Sequence, residues 1–467
     1  MAEDAAKTND DAVVDTHLVS NEPSSASSEG ITRRSMLISS ALAALSFGTT
    51  GYAFGMGRDL DGGGSSSSKD VLSLTYPFRG EHQSGILTPA QQQMYTMAFD
   101  VAERMTLSRL QTLFQDWTQA AEAMCKGEPV ESMTNLDGMG VPKDTGETYD
   151  SGAAGLTITF GVGATFFEKN GEDRFGLKKY KPGLLAENFR WMKGDDRFMD
   201  DAQKGGDVVV QVCAEDPMVT LHAVHMLKKI AIGKLDVKWA QLGYGRTSST
   251  SKSQATPRNL FGFKDGTSNI TAEENVEAHN KDLWIQPDDD GGAHFAGGTY
   301  MCTRRIRMTM ERWDFQSLGE QESTVGRDKV FGAPLSSEPR EGNTFLVGEQ
   351  EFDAPDFTKK DASGRLMIPQ DSHVAVVHPD NNDGHRMLRR GYNFVDGHDS
   401  LGNFDAGLFF VAFVRRPDYF EKILTRMTNT DAMSEYLQHT GSALFVMFPG
   451  VGESKDEYIG QSLLEAK

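Results

Sequence analysis

Three short segments of this 467-residue chain carry side chains able to do chemistry. Gly262-Phe263-Lys264-Asp265-Gly266-Thr267-Ser268-Asn269 is a polar loop that sets one carboxylate between flexible glycines, and a carboxylate can move protons. Asp371-Ser372-His373 opens an apolar run, and a neutral imidazole there can ligate a metal. Arg389-Arg390 follows sixteen residues after the histidine, and a guanidinium can hold an anion. Each segment also has a plainer reading. Lys-Asp-Gly is an ordinary turn, and a histidine at the start of a strand is more often a structural hydrogen-bonder than a ligand. HExxH, CxxC, the Walker loop and the GxSxG elbow do not occur, so the common zinc-hydrolase, nucleotide-binding and serine-hydrolase motifs are missing.

The elements that must position these groups alternate in kind. Leu72–Tyr76, Leu156–Phe160 and Asp207–Val212 read as strands, residues 89–125 as a helix capped at Thr88-Pro89, and Pro217 to about Ile232 as a second helix. The order recurs later. Tyr300–Trp313, His373–Val377, Leu408–Phe413 and Ala443–Phe448 read as strands, with a helix from about Asp418 to Thr428. Two comparable halves predict two α+β domains, at 71–255 and 256–467.

Composition supports a sizeable core, with 38% hydrophobic residues and 48 glycines. Lys and Arg number 47 against 67 Asp and Glu, a net charge of −20 that repels phosphate backbones and anionic membrane surfaces. No nucleic-acid partner is expected. Three widely spaced cysteines, Cys125, Cys213 and Cys302, argue against a disulfide framework and a cysteine zinc site.

The first seventy residues stand apart. Residues 1–30 are polar and aperiodic, which reads as a disordered leader. Thr32-Arg33-Arg34-Ser35-Met36-Leu37 then opens a twelve-residue apolar run to Phe47, too short for the ~20 residues that span a bilayer. Arginines, apolar run and the small residues of Gly51-Tyr52-Ala53 have the order of a signal peptide, here like the twin-arginine export signal. Residues 1–53 are therefore expected to be leader and signal, and 54–70 a Gly/Ser linker. Cleavage near Ala53 removes seven acidic and three basic residues and leaves a charge of about −16. Export to the periplasm, envelope or exterior is expected. Because this route carries folded proteins, it suits one loaded with a cofactor in the cytosol.

The segments taken together resemble the dye-decolourising heme peroxidases, and within them the exported deferrochelatase/peroxidase subgroup associated with iron uptake. The resemblance runs through Pro77–Ile86, Leu156–Gly163, Asp207–Pro217, Gly262–Asn269, Arg304–Met308, Val325–Arg327, Asp371–His373, Met387–Tyr392 and Phe448–Val451. It implies two ferredoxin-like domains of the dimeric α+β barrel type, with one heme b per chain in the second. His373 would be the proximal iron ligand. Asp265 would be the distal acid–base group and Arg389, rather than Arg390, its partner in stabilising the departing oxygen. Gly266, Thr267 and Ser268 would line the porphyrin, and Arg327 would pair a heme propionate. Asp405 is the candidate carboxylate behind His373, a kind of support that raises imidazole basicity. Two departures from the family pattern are His378-Pro379-Asp380, where Asn-Pro-Arg is common, and the insertion from Ser336 to Phe357.

The activity so implied is reduction of hydrogen peroxide with one-electron oxidation of bulky organic donors. The alternatives are release of iron from heme, or ferrous-iron oxidation, for an iron-uptake permease system, and a non-enzymatic heme carrier. A carrier has no need of a distal acid and arginine. A homo-oligomer is expected.

Overall fold

The computed structural model describes residues 68–131, 139–187, 189, 192–265, 268–337 and 350–466. The predicted leader, the signal and all but the end of the linker lie outside these residues. At that end the chain forms a short helix, Ser68–Leu72.

The first half runs through strand β1 (Gln93–Val101), helix α1 (Leu107–Cys125), strands β2 (Thr157–Gly163) and β3 (Val208–Ala214), helix α2 (Pro217–Ile230) and strand β4 (Leu235–Arg246). The strands pair antiparallel in the order β2-β3-β1-β4. Crossovers carrying α1 and α2 between split strand pairs make this arrangement ferredoxin-like. Local chemistry sets the helix starts. Thr106 accepts the Arg109 amide at the head of α1, and Asp216 accepts two amides at the head of α2, with proline in the first turn. Leu110, Leu113, Phe114, Trp117 and Ala121 recur at helical spacing on α1 and are buried against the sheet.

The second half repeats the plan with strand β5 (Thr299–Met308), helices α3 (Leu318–Val325) and α4 (His373–Val377), strands β6 (Leu388–Arg389), β7 (Tyr392–His398) and β8 (Phe404–Val414), helix α5 (Pro417–Thr430) and strand β9 (Leu437–Met447). Here the order is β7-β8-β5-β9. The two sheets join at both edges, β2 with β9 and β4 with β7. Eight strands therefore close into a ring, with β6 added beside β8. One apolar cluster packs helices on the sheet, and a second, including Met94, Val209, Met301, Phe409 and Phe445, comes from the opposite strand faces. Cys125, Cys213 and Cys302 are all buried free thiols.

Four local expectations change. β1 lies inside the stretch predicted helical, and α1 begins only at Leu107. β1 is the central strand between β3 and β4 and is buried on both faces, which erases the alternation that marks a half-buried strand. Residues 373–377 form a helical turn rather than a strand, starting after Ser372. The strand predicted to reach Trp313 stops at Met308, and Met310–Trp313 is helical. Leu72–Tyr76 is not a strand, although the Leu72 and Leu74 carbonyls accept the Ala154 and Gly155 amides.

Candidate active site

A cavity with about 1460 Å³ of empty space, part of it open to solvent, is lined mainly by the second half. Its walls come from alternate residues of the ring strands, including Ile306, Met308, Leu408 and Phe410, and from the inner side of α5 at Ile423 and Leu424. Asp265, Ser268, Arg327, His373 and Arg389 all line it. Gly266 and Thr267 lie outside the described residues, as does most of the Ser336–Phe357 insertion.

Asp265 enters from a loop pinned by aromatic packing. Phe261 stacks on Trp313 at 4.3 Å between ring centroids, and Phe263 meets the same indole edge-on at 5.9 Å. The Asp265 amide donates to the Pro257 carbonyl at 3.0 Å. Arg389 reaches the same place from β6, and its Nη1 stands 3.2 Å from Asp265 Oδ1. Asn269 fixes that meeting. Its Oδ1 accepts the Arg389 amide at 2.7 Å, and its Nδ2 donates to the Arg389 carbonyl at 2.8 Å. The loop bearing the carboxylate thus holds the backbone bearing the guanidinium. Arg390 points the opposite way, as extended alternation requires. It is buried against the Thr88 carbonyl and Gln91 Oε1.

His373 begins α4 and is a quarter exposed, into the cavity. Its Nδ1 lies 2.7 Å from Asp431 Oδ2. Asp431 closes α5, and its other oxygen accepts the Met433 amide at 2.9 Å. Burial pushes the imidazole pKa down, but the charge and hydrogen bond of Asp431 push it up further, and the balance is a raised value. The expectation that Asp405 fills this role is overturned. Asp405 lies 2.9 Å from Arg305 Nη2. Along β8 the cavity takes Leu408 and Phe410, while Phe409 and Val411 belong to the other apolar cluster, and Asp405 shares the parity of the second pair.

Arg327 follows the left-handed Gly326 that ends α3 and is almost fully buried. Its Nη1 donates to the carbonyls of Gly332 and Glu351 at 2.6 and 2.8 Å. No carboxylate pairs with it among the described residues. Burial, then the charge of Arg389, pushes its pKa down to about 10. A buried guanidinium with donors facing a cavity and no anion of its own is a site for an anionic ligand.

These features fit a heme. The apolar walls suit a flat macrocycle, Arg327 suits a carboxylate at its edge, and His373 has one nitrogen tied to Asp431 and the other left for iron. Residues 83–245 match the family model for the N-terminal part of Dyp-type peroxidases, and residues 256–452 match the model for the C-terminal part.

The chain belongs to the Dyp-type peroxidase family. It is a heme-dependent oxidoreductase that uses peroxide and an organic electron donor. It is 33% identical over 409 residues to a protein named deferrochelatase from Escherichia coli (strain K12), covering 85% of this chain and 89% of that one. The deferrochelatase of Yersinia pseudotuberculosis is 34% identical over 401 residues, covering 84% and 85% respectively. Among solved structures, ferric DtpA from Streptomyces lividans superposes with a TM-score of 0.75 at 32% identity, covering 86% of this chain and all of that one. A DyP-type peroxidase from Streptomyces coelicolor gives 0.76 at 33% identity, with the same coverage.

Proposed function

We propose that the chain binds one heme b in this cavity, with His373 as the iron ligand and Arg327 on a propionate, and that Asp265 and Arg389 act on peroxide there. Bound heme supplies the iron that peroxide oxidises by two equivalents and that two one-electron donors restore. The protein's own part is positional and electrostatic. Asp431 orients His373 and increases its basicity. Asp265 takes a proton from one peroxide oxygen and returns it to the other, and the guanidinium 3.2 Å away stabilises the charge left on the departing oxygen. Ser268 lines the same wall. The Asp265–Arg389 pair facing the His373 cavity carries the reading. The test is peroxide-dependent oxidation of an anthraquinone dye by the heme-loaded protein. Asp265→Ala and Arg389→Ala should keep the heme and lose turnover; wild type as inactive as both variants would remove the reading's support.

The names of the two enterobacterial relatives favour a second reading, in which the same site releases iron from heme without opening the porphyrin. Mass spectrometry of the tetrapyrrole product decides it, because this chemistry must yield free protoporphyrin. The Arg33-Arg34 element and the apolar run after it support export by the twin-arginine route. Fractionation of cells expressing the full chain and an Arg33→Lys/Arg34→Lys variant tests the export step.

A further inference from the structure

One region of the cavity wall carries two donor side chains whose bonding capacity is not used up by their partners among the described residues. Arg327 is one. The other is His378, the residue that ends α4 and opens the turn Pro379–Asn381. His378 Nδ1 has two neighbours from Asp380: the backbone amide, which donates to it at 3.3 Å, and the exposed carboxylate, whose Oδ2 stands farther off at 3.5 Å. A nitrogen that accepts a hydrogen bond carries no proton, so in the neutral ring the proton resides on Nε2. Burial, then opposed by Asp380 and aided by Arg327, holds the imidazole below its ordinary pKa and keeps it neutral. Nε2 is the nitrogen left to donate, and no acceptor takes it among the described residues. The ring is braced edge-on by Phe357, with centroids 5.2 Å apart. His378 and Arg327 both line the cavity, and they come from separate elements, the ends of α4 and α3.

We infer that His378 Nε2–H and the Arg327 guanidinium together hold one carboxylate of the tetrapyrrole, so that His378 helps to set how firmly the cofactor is retained. The inference rests on the heme reading of this cavity. It gives a task to the His-Pro-Asp element that departs from the family pattern, and it places that task at the edge of the macrocycle. A neutral N–H donor beside a guanidinium adds a second directional bond to the same anion without adding a second buried charge.

Heme dimethyl ester separates this role from simple packing or capping, since it keeps the ring and iron and lacks the carboxylates. The full-chain holoprotein is loaded with heme or with the ester, and release to excess apomyoglobin is timed. His378→Phe, which keeps a ring against Phe357, should lose heme about tenfold faster than wild type, the usual effect of one hydrogen bond to a charged group. With the ester, wild type and variant should release at the same rate. Arg327→Gln should show the same pattern more strongly. Equal acceleration with both tetrapyrroles, or none with heme, overturns the inference while leaving the heme site intact. Failure of the wild type to take up either tetrapyrrole overturns the heme reading itself.

Discussion

Asp431 Oδ2 stands 2.7 Å from Nδ1 of His373, and Asp431 Oδ1 is held in turn by the Met433 amide at 2.9 Å. The carboxylate is buried and cannot turn away without losing both contacts. Two segments far apart in sequence meet here, and the Ala432 amide donates to the Asp371 carbonyl at 2.8 Å to hold them together. The orientation of the iron-ligand candidate is thus set by the segment that follows α5.

Asp431→Asn keeps the shape and removes the charge. The heme-loaded variant should show a more positive iron reduction potential and about 10- to 100-fold lower peroxide turnover, the range seen when such supporting groups are removed. Spectroelectrochemistry checks the first effect. A wild-type potential in the variant would exclude the carboxylate as a tuner of the iron.

Asn269 binds both backbone polar groups of Arg389, so it should matter to turnover without touching substrate. Asp265→Asn should lower kcat about 10²- to 10⁴-fold, the span of general acid–base catalysis. Asn269→Ala should lower it less and leave the heme absorption spectrum unchanged. The order of the two variants in stopped-flow peroxide assays is the check. Asn269→Ala with full activity would show that Arg389 needs no backbone clamp.

Gly407 pairs with Arg307 across the β8–β5 seam in the middle of the second sheet. A methyl group there would press on the Ile306 carbonyl and come within 2.9 Å of the Met308 amide. Backbone cannot step aside cheaply, so Gly407→Ala should cost about 1–3 kcal/mol or more. Ile306 and Met308 also line the cavity, so thermal stability and heme uptake should fall together. Unchanged melting would mean that the seam tolerates widening.

Glu147 accepts from His222 and His225 Nδ1 at 2.8 and 2.7 Å and from the Thr145 hydroxyl. Burial works against its charge, but those bonds win and lower the carboxyl from 4.5 to about 2. A depressed carboxyl contributes stability above its unfolded value, lost as pH falls through the folded one. Glu147→Gln should therefore cost on the order of 2–3 kcal/mol near pH 6. The gap from wild type should close as pH falls from about 4.5 to about 2 in urea unfolding. A gap independent of pH would assign the effect to shape alone.

The groups that carry chemistry were legible because they lie in short local segments that together resemble one family. Asp265, His373 and Arg389 were read from short segments, and the cavity brings them together. Asp431 was not legible. In sequence it is an ordinary acid between a helix and a turn, and its Oδ1 performs that ordinary duty by accepting the Met433 amide. Nothing local shows that Oδ2 reaches His373, fifty-eight residues away. Asp405 was a poor choice for a reason the sequence did contain. Counting by twos from Leu408 and Phe410 already puts position 405 on the other face of β8. The run Val374–Val377 misled through its β-branched residues, whose strand preference yields where tertiary packing around a single helical turn is favourable.

The ring has a consequence for the order of assembly. β2 and β4 are the two edges of the first sheet, and their partners, β9 and β7, are made much later in the chain. Until β7 and β9 emerge, a growing chain presents two open strand edges, the kind of surface that templates aggregation. The seam partners are distant in sequence, which makes closure slow. Truncation before Leu437 should therefore lower solubility sharply, an effect of the topology rather than of any one residue.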